Sequence, residues 1–131
     1  MEIEYNKKLA KITRCDFSFK DTNKILILNI DVDYDEFGSQ NICGLVLDNY
    51  DEDRKERVGT VFGCELIRKI LDTFDSDNLK DIVGKVVYVL GEGDGLGFKP
   101  KGFKRPSFDN GKKIIYDDIL KEFTDAKTNS K

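Results

Sequence analysis

The 131 residues contain no histidine, so any chemistry must come from carboxylates, amines, thiols and hydroxyls. Ser-His-Asp and Cys-His nucleophilic catalysis are thereby excluded, as are the common zinc-hydrolase sites. Cys15, Cys43 and Cys64 are odd in number, far apart and lack CxxC spacing, which argues against a disulfide framework and a zinc site. They read as buried thiols in a reducing compartment. Cys64 falls at an expected helix start, where the dipole lowers a thiol pKa, but with no base to serve it we read it as a core thiol too. Asp31, Asp33 and Asp35 repeat the opening of a calcium loop. Glu36 then stands where that loop needs glycine and Ile42 where it needs a bidentate glutamate, so alternating acids on a solvated strand are the simpler reading. No catalytic residue, metal or cofactor is expected.

Binding chemistry is concentrated in residues 85–113, KVVYVLGEGDGLGFKPKGFKRPSFDNGKK. From Leu96 to Lys113 six bases (Lys99, Lys101, Lys104, Arg105, Lys112 and Lys113) stand against Asp109 alone, a local charge of +5 in a chain of net charge −3. Phe98, Phe103 and Phe108 interleave with these cations, the mixture that single-strand nucleic-acid binders use for stacking and phosphate tracking. The competing reading turns Phe98 and Phe103 into the core and leaves the lysines as the solvated face of an edge strand. Gly91, Gly93, Gly95 and Gly97 alternate just before. Such glycines can aim amides at a phosphate, yet FKPKGFKR follows instead of a helix and GK[ST] is absent, so neither a Rossmann nor a P-loop site is present. A hairpin tip using positive φ is the simpler account.

A second charged region has the opposite sign. Between Asp21 and Glu56 ten acids, including Asp51, Glu52 and Asp53, face three bases, a net of −7. Clustered, they would imitate phosphates or attract a basic protein; dispersed, they confer solubility. Tyr5 and Tyr50 are candidates for exposed interface aromatics.

The elements that must position these residues follow from periodicity. Cys15, Phe17 and Phe19 alternate with polar residues as in a half-buried strand, and Asp21-Thr22-Asn23 supplies a turn. KILILNIDVDY is the clearest strand, with Leu26, Leu28, Ile30, Val32 and Tyr34 on one face. After a Phe37-Gly38-Ser39 turn, NICGLVLDNY reads as a third strand and Asp51-Glu52-Asp53 as a solvated loop. Leu66, Ile67, Ile70, Leu71 and Phe74 share one face of a helix. NLKDIV forms a short turn, KVVYVL and residues 98–104 form strands, and YDDILKEF forms a second helix. The order β-β-β-α-β-β-α implies a single α+β domain over 1–123 with a mostly antiparallel sheet, open or curled into a small OB-like barrel with a packing helix. Residues 124–131 read as a disordered tail. With 39% hydrophobic and 36% charged residues, the chain reads as a globular protein with a modest core. Its longest apolar runs are too short for a membrane span and no signal peptide is visible, so a cytoplasmic location is expected.

GLVLDNYDEDRKERVGTVFGCELIRKIL followed by LKDIVGKVVYVL resembles a family of short phage- and prophage-encoded proteins, over roughly residues 8–105. The likeness rests on LDxY at the end of a strand, the Gly59 to Gly63 segment leading into the helix, and the DxxGK turn of Asp81 to Lys85. These motifs carry no activity and no catalytic residue. The resemblance implies a noncatalytic binding protein in the bacterial host cytoplasm, engaging a host or defence-system component, with an anti-defence inhibitor as the concrete version. Single-stranded nucleic-acid binding and capture of a small phosphorylated or nucleotide ligand stay open as alternatives. Expected contact residues are Gly93, Gly95, Gly97, Phe98, Lys99, Lys101, Phe103, Lys104 and Arg105, with Asp51, Glu52 and Asp53 as an acidic partner surface.

Overall fold

Alternating apolar residues along three consecutive segments form an antiparallel meander: β1 (Asn6–Lys20), β2 (Ile25–Tyr34) and β3 (Gly38–Val46). The fold is seen in a computed structural model that describes residues 5–35, 38–106 and 112–129, without the side chains of 96 and 124–129. The remaining strands are β4 (Asp48–Asp51), β5 (Glu56–Gly59), β6 (Val86–Glu92), β7 (Lys99–Lys104) and β8 (Lys113–Ile115); the helices are α1 (Val61–Thr73) and α2 (Tyr116–Asn129). Six strands make one sheet in the order β3-β2-β1-β6-β7-β8, all paired antiparallel, while β4 and β5 form a separate hairpin. The protein is therefore α+β, built on a mostly antiparallel sheet.

The inward faces are those that the alternation marks. Ala10, Ile12 and Cys15 of β1, Leu28, Ile30, Val32 and Tyr34 of β2, Val87 and Val89 of β6, and Phe103 of β7 are all buried. They meet Leu66, Ile70 and Phe74 at α1 and Tyr116 and Ile119 of α2. Burying an aliphatic side chain of this kind contributes about 1.5–3 kcal/mol. Phe103 is fully buried, stacked on Phe74 at 5.8 Å and set edge-on to Tyr116 at 6.3 Å.

Helix α1 begins at Thr60, whose hydroxyl accepts from the Gly63 amide at 2.9 Å and donates to the Leu47 carbonyl at 2.9 Å. Such a cap is worth about 1 kcal/mol. The helix ends where Asp75 takes a left-handed φ of 49°. The Ser76 amide reaches back to the Leu71 carbonyl and the Asp75 amide to that of Asp72, closing the last turn as a Schellman motif.

Three local expectations change. The anticipated third strand is interrupted at Leu47, and Asp51-Glu52-Asp53 lies at a hairpin tip, because residues 48–51 turn away to pair with β5. Phe17 and Phe19 are 55% and 62% exposed, although Leu28 and Leu26 opposite them on β2 belong to or pack against the core; they lie on the stretch of β1 beyond Lys11 that β6 does not reach. Cys64 is exposed, unlike buried Cys15 and Cys43, because it lies off the α1 stripe of Leu66 and Ile70. Glu36, Phe37 and Phe108 lie outside the described residues. The segment read as a tail, 124–131, starts within α2, whose bounds extend to Asn129. No helix among the described residues is long and apolar enough to cross a membrane.

Candidate functional site

A transverse row of side chains crosses four strands on the outward face of the sheet. Lys113 on β8 is opposite Lys104 on β7, Lys104 is opposite Tyr88 on β6, and Tyr88 is opposite Leu9 on β1. Directly opposed residues in antiparallel pairs share a face, and neighbouring strands lie ~4.8 Å apart, so the row is about 14 Å long. Its orientation follows from β6, where Val87 and Val89 are buried and Tyr88 between them must point outward. Lys7 and Lys11 flank Leu9 at two residues on either side, on the same face. The Lys7 ammonium lies 4.9 Å from the Tyr88 ring centroid and that of Lys104 6.0 Å. Leu9 is 56% exposed, and Val86 beside the row is exposed as well.

The close approach of β8 to β7 depends on Gly102, which stands opposite Leu90 and Ile115. A Cβ there would collide with the backbone carbonyl of Ile114. Among the described residues Lys7, Lys11, Lys104 and Lys113 make no ion pair. Lys11 has Asp33 opposite it on β2, and Lys113 lines a cavity that Asp72, Asp118 and Glu122 also line, whereas Lys7 and Lys104 stand opposite Leu90 and Tyr88 on β6.

The residues picked out in the sequence separate into groups. Phe98 and Phe103 are buried and cannot stack on a ligand: β7 turns Phe103 inward opposite Val89, and Phe98 packs over Gly91. Arg105 donates to the Thr73 carbonyl at 3.2 Å and pairs with Asp75 at 3.6 Å. Lys112 reaches the Asp72 carbonyl and Asp75. Both cations hold the carboxyl end of α1, where positive charge suits the dipole, and are taken out of the basic patch. Lys104 belongs to the row, and Lys101 is the extra residue where the β6–β7 register shifts. Lys99 is exposed at the head of β7.

The glycine loop is closed on itself. The Gly97 amide donates to the Asp94 carbonyl, that of Phe98 to Gly95, and that of Gly95 to the Asp94 carboxylate. The amides of Gly95, Gly97 and Phe98 are thus engaged within the loop, and the exposed Asp94 carboxylate, 4.0 Å from Lys8, would repel a phosphate. Gly93 and Gly95 have φ of 85° and 54°, the role of glycine in a turn.

The acidic region disperses. Asp48 is buried, its carboxylate 2.7 Å from Arg57 and accepting from the Leu26 amide at 3.2 Å; the Arg57 hydrogen bond holds its pKa below the usual range despite burial. Asp31 accepts from Asn41 at 2.8 Å. Asp16 joins Arg14 at 3.0 Å and buried Asn29 at 3.1 Å. Asp51, Glu52 and Asp53 share their hairpin tip with Arg54 and Lys55, and the Asp51 carboxylate is spent on the amides of Asp53 and Arg54. Among the described residues no group of three His, Cys, Asp or Glu could hold a metal ion. Lys7, Leu9, Lys11 and Tyr88 escaped the sequence reading. Period two in KKLAK and VVYV was the available signal, but only strand pairing brings these segments together. No protein-family model, curated protein or solved structure matches the chain.

Proposed function

We propose that this protein is a noncatalytic binder of single-stranded nucleic acid, using the Lys113–Lys104–Tyr88–Leu9 row with Lys7 and Lys11. The observation that carries the reading is the direct opposition of Lys104 and Lys113. Like charges facing each other across a ladder are destabilising, and a phosphate between them would turn that repulsion into attraction. Tyr88 beside them offers a ring for a base, with Leu9 and Val86 as apolar floor, the combination that sequence-tolerant strand binders use. An OB-like reading of the sheet is part of this proposal, and three features favour it: β1 pairs with both β2 and β6, a helix precedes β6, and β3 comes close to β7. The outward face of β2 and β3, which OB-folds use for oligonucleotides, here carries Asp31 and Asp33. The cationic row takes its place.

Binding of a fluorescein-labelled oligothymidine across a salt series tests this. Each neutralised phosphate contributes a slope of about −0.7 in log affinity against log salt for a single strand. A slope of two to four charges, reduced by Lys104→Glu with Lys113→Glu, is the expected result; no binding at low salt overturns the proposal.

A second reading, docking to a host or defence-system protein, draws on the β4–β5 hairpin, where Tyr50 is 52% exposed beside Asp51, Glu52 and Asp53. Under it, charge reversal at those three acids abolishes a protein complex and leaves oligonucleotide binding intact.

A further inference from the structure

We infer that Phe17 and Phe19 form a second contact for the same ligand, a two-base stacking platform at the far end of β1. This rests on the nucleic-acid reading above and extends its interface. The rings sit two residues apart on one strand face, about 6.7 Å apart at a strand's rise, and each is more than half exposed. Separation on that scale lets an extended strand lay one base on each ring, and stacking of this kind tolerates any base because every base has a π-face. Lys20 and Lys24 at the same hairpin end are exposed and make no ion pair among the described residues. The hairpin's acid, Asp21, is occupied by the Asn23 amide at 2.8 Å.

The path between the two contacts follows β1. Strand β6 covers β1 only from Asn6 to Lys11, and the backbones of Gly84 and Lys85 bond Ile12. Beyond that point no strand pairs with this edge of β1 among the described residues. A ligand leaving the row can therefore pass round the open edge to the opposite face, where the rings lie. Leu9 and Phe17 are eight residues apart, about 26 Å. A strand of a few nucleotides reaches one contact only, whereas 15 nucleotides, near the upper end of the roughly 4–16 that one such fold occupies, reach both.

The test compares Phe17→Ser with Phe19→Ser, as a double variant, against wild type on labelled oligothymidines of 4 and 15 nucleotides, with solution mass measured by light scattering. Both side chains are exposed, so the variant is expected to fold, which circular dichroism verifies. The inference requires a loss of at least tenfold on the 15-mer, no change on the 4-mer, and an unchanged mass. Equal affinity of variant and wild type for the 15-mer, with Lys104→Glu/Lys113→Glu still weakening binding and reducing its salt slope, overturns the platform and leaves the row in place. A drop in mass with affinity unchanged assigns the rings to contact between copies of the chain and likewise overturns it. Absence of binding by the wild-type protein removes the functional reading itself and this inference with it.

Discussion

Lys104 and Lys113 occupy one register position on adjacent strands, facing each other with no acid paired to either among the described residues. Lys113→Glu converts this repulsion into attraction. We expect it to raise unfolding stability by roughly 0.5 kcal/mol at low ionic strength, an increment that fades as salt screens exposed charges. Urea denaturation at two salt concentrations measures it. The same variant should weaken oligonucleotide binding, so stability and affinity are expected to move in opposite directions.

Asp48 is the acid on which the fold depends. Its carboxylate satisfies Arg57 and the Leu26 amide at once, so Asp48→Ala leaves both without that acceptor and should destabilise by about 2–4 kcal/mol. Because the folded carboxyl titrates below its ordinary value, chiefly through the Arg57 hydrogen bond, its contribution is present above the unfolded pKa near 3.9. It is lost as pH falls through the lower folded value. Wild-type stability should therefore decline below about pH 4, and the Asp48→Ala variant should show a smaller decline over the same range.

The alkaline limb belongs to the core. Burial pushes Cys15 up to about 12 and Cys43 up to about 11, and it raises Tyr116 as well. An acid whose folded pKa is raised stabilises below its unfolded value, near 8.5 for a thiol, and loses that contribution as pH climbs toward the folded one. Stability should fall progressively above about pH 8.5. Cys15→Ala/Cys43→Ala would lower the plateau but flatten this slope.

Thiol labelling gives an independent check. At pH 8 a bulky disulfide reagent should modify exposed Cys64 rapidly and leave Cys15 and Cys43 untouched, with all three reacting in denaturant. Fast labelling of three thiols in native buffer would contradict the packing around β1 and β3.

Gly102→Ala tests the seating of β8. Its added methyl group would meet the Ile114 carbonyl, a backbone atom held in the ladder, and overpacking of this kind costs about 1–3 kcal/mol. The variant should lose oligonucleotide affinity together with stability, because displaced β8 carries Lys113 out of the row.

Local patterns in the chain were enough for several elements. The alternation of KILILNIDVDY placed Leu28, Ile30, Val32 and Tyr34 inward, the fourfold spacing of Leu66, Ile70 and Phe74 placed the α1 stripe, and the missing histidines removed imidazole chemistry. Each is a consequence of short-range periodicity or composition, which one segment expresses alone. The meander and the α+β class follow from the order of those segments.

What the tertiary structure decided is which segments meet. Lys7 and Lys113 are more than a hundred positions apart, and only the β1-β6-β7-β8 ladder puts them on one face with Tyr88. The same ladder sends Phe103 inward while its neighbour Lys104 stays out, and it draws Arg105 and Lys112 to the end of α1. Charge counted along the chain therefore overstated both the basic and the acidic surface. Phe17 and Phe19 carry the alternation of a core strand, yet they stand exposed because burial requires a covering layer. Periodicity fixes the side of the strand on which a residue lies, whereas packing between distant elements fixes whether anything lies over it.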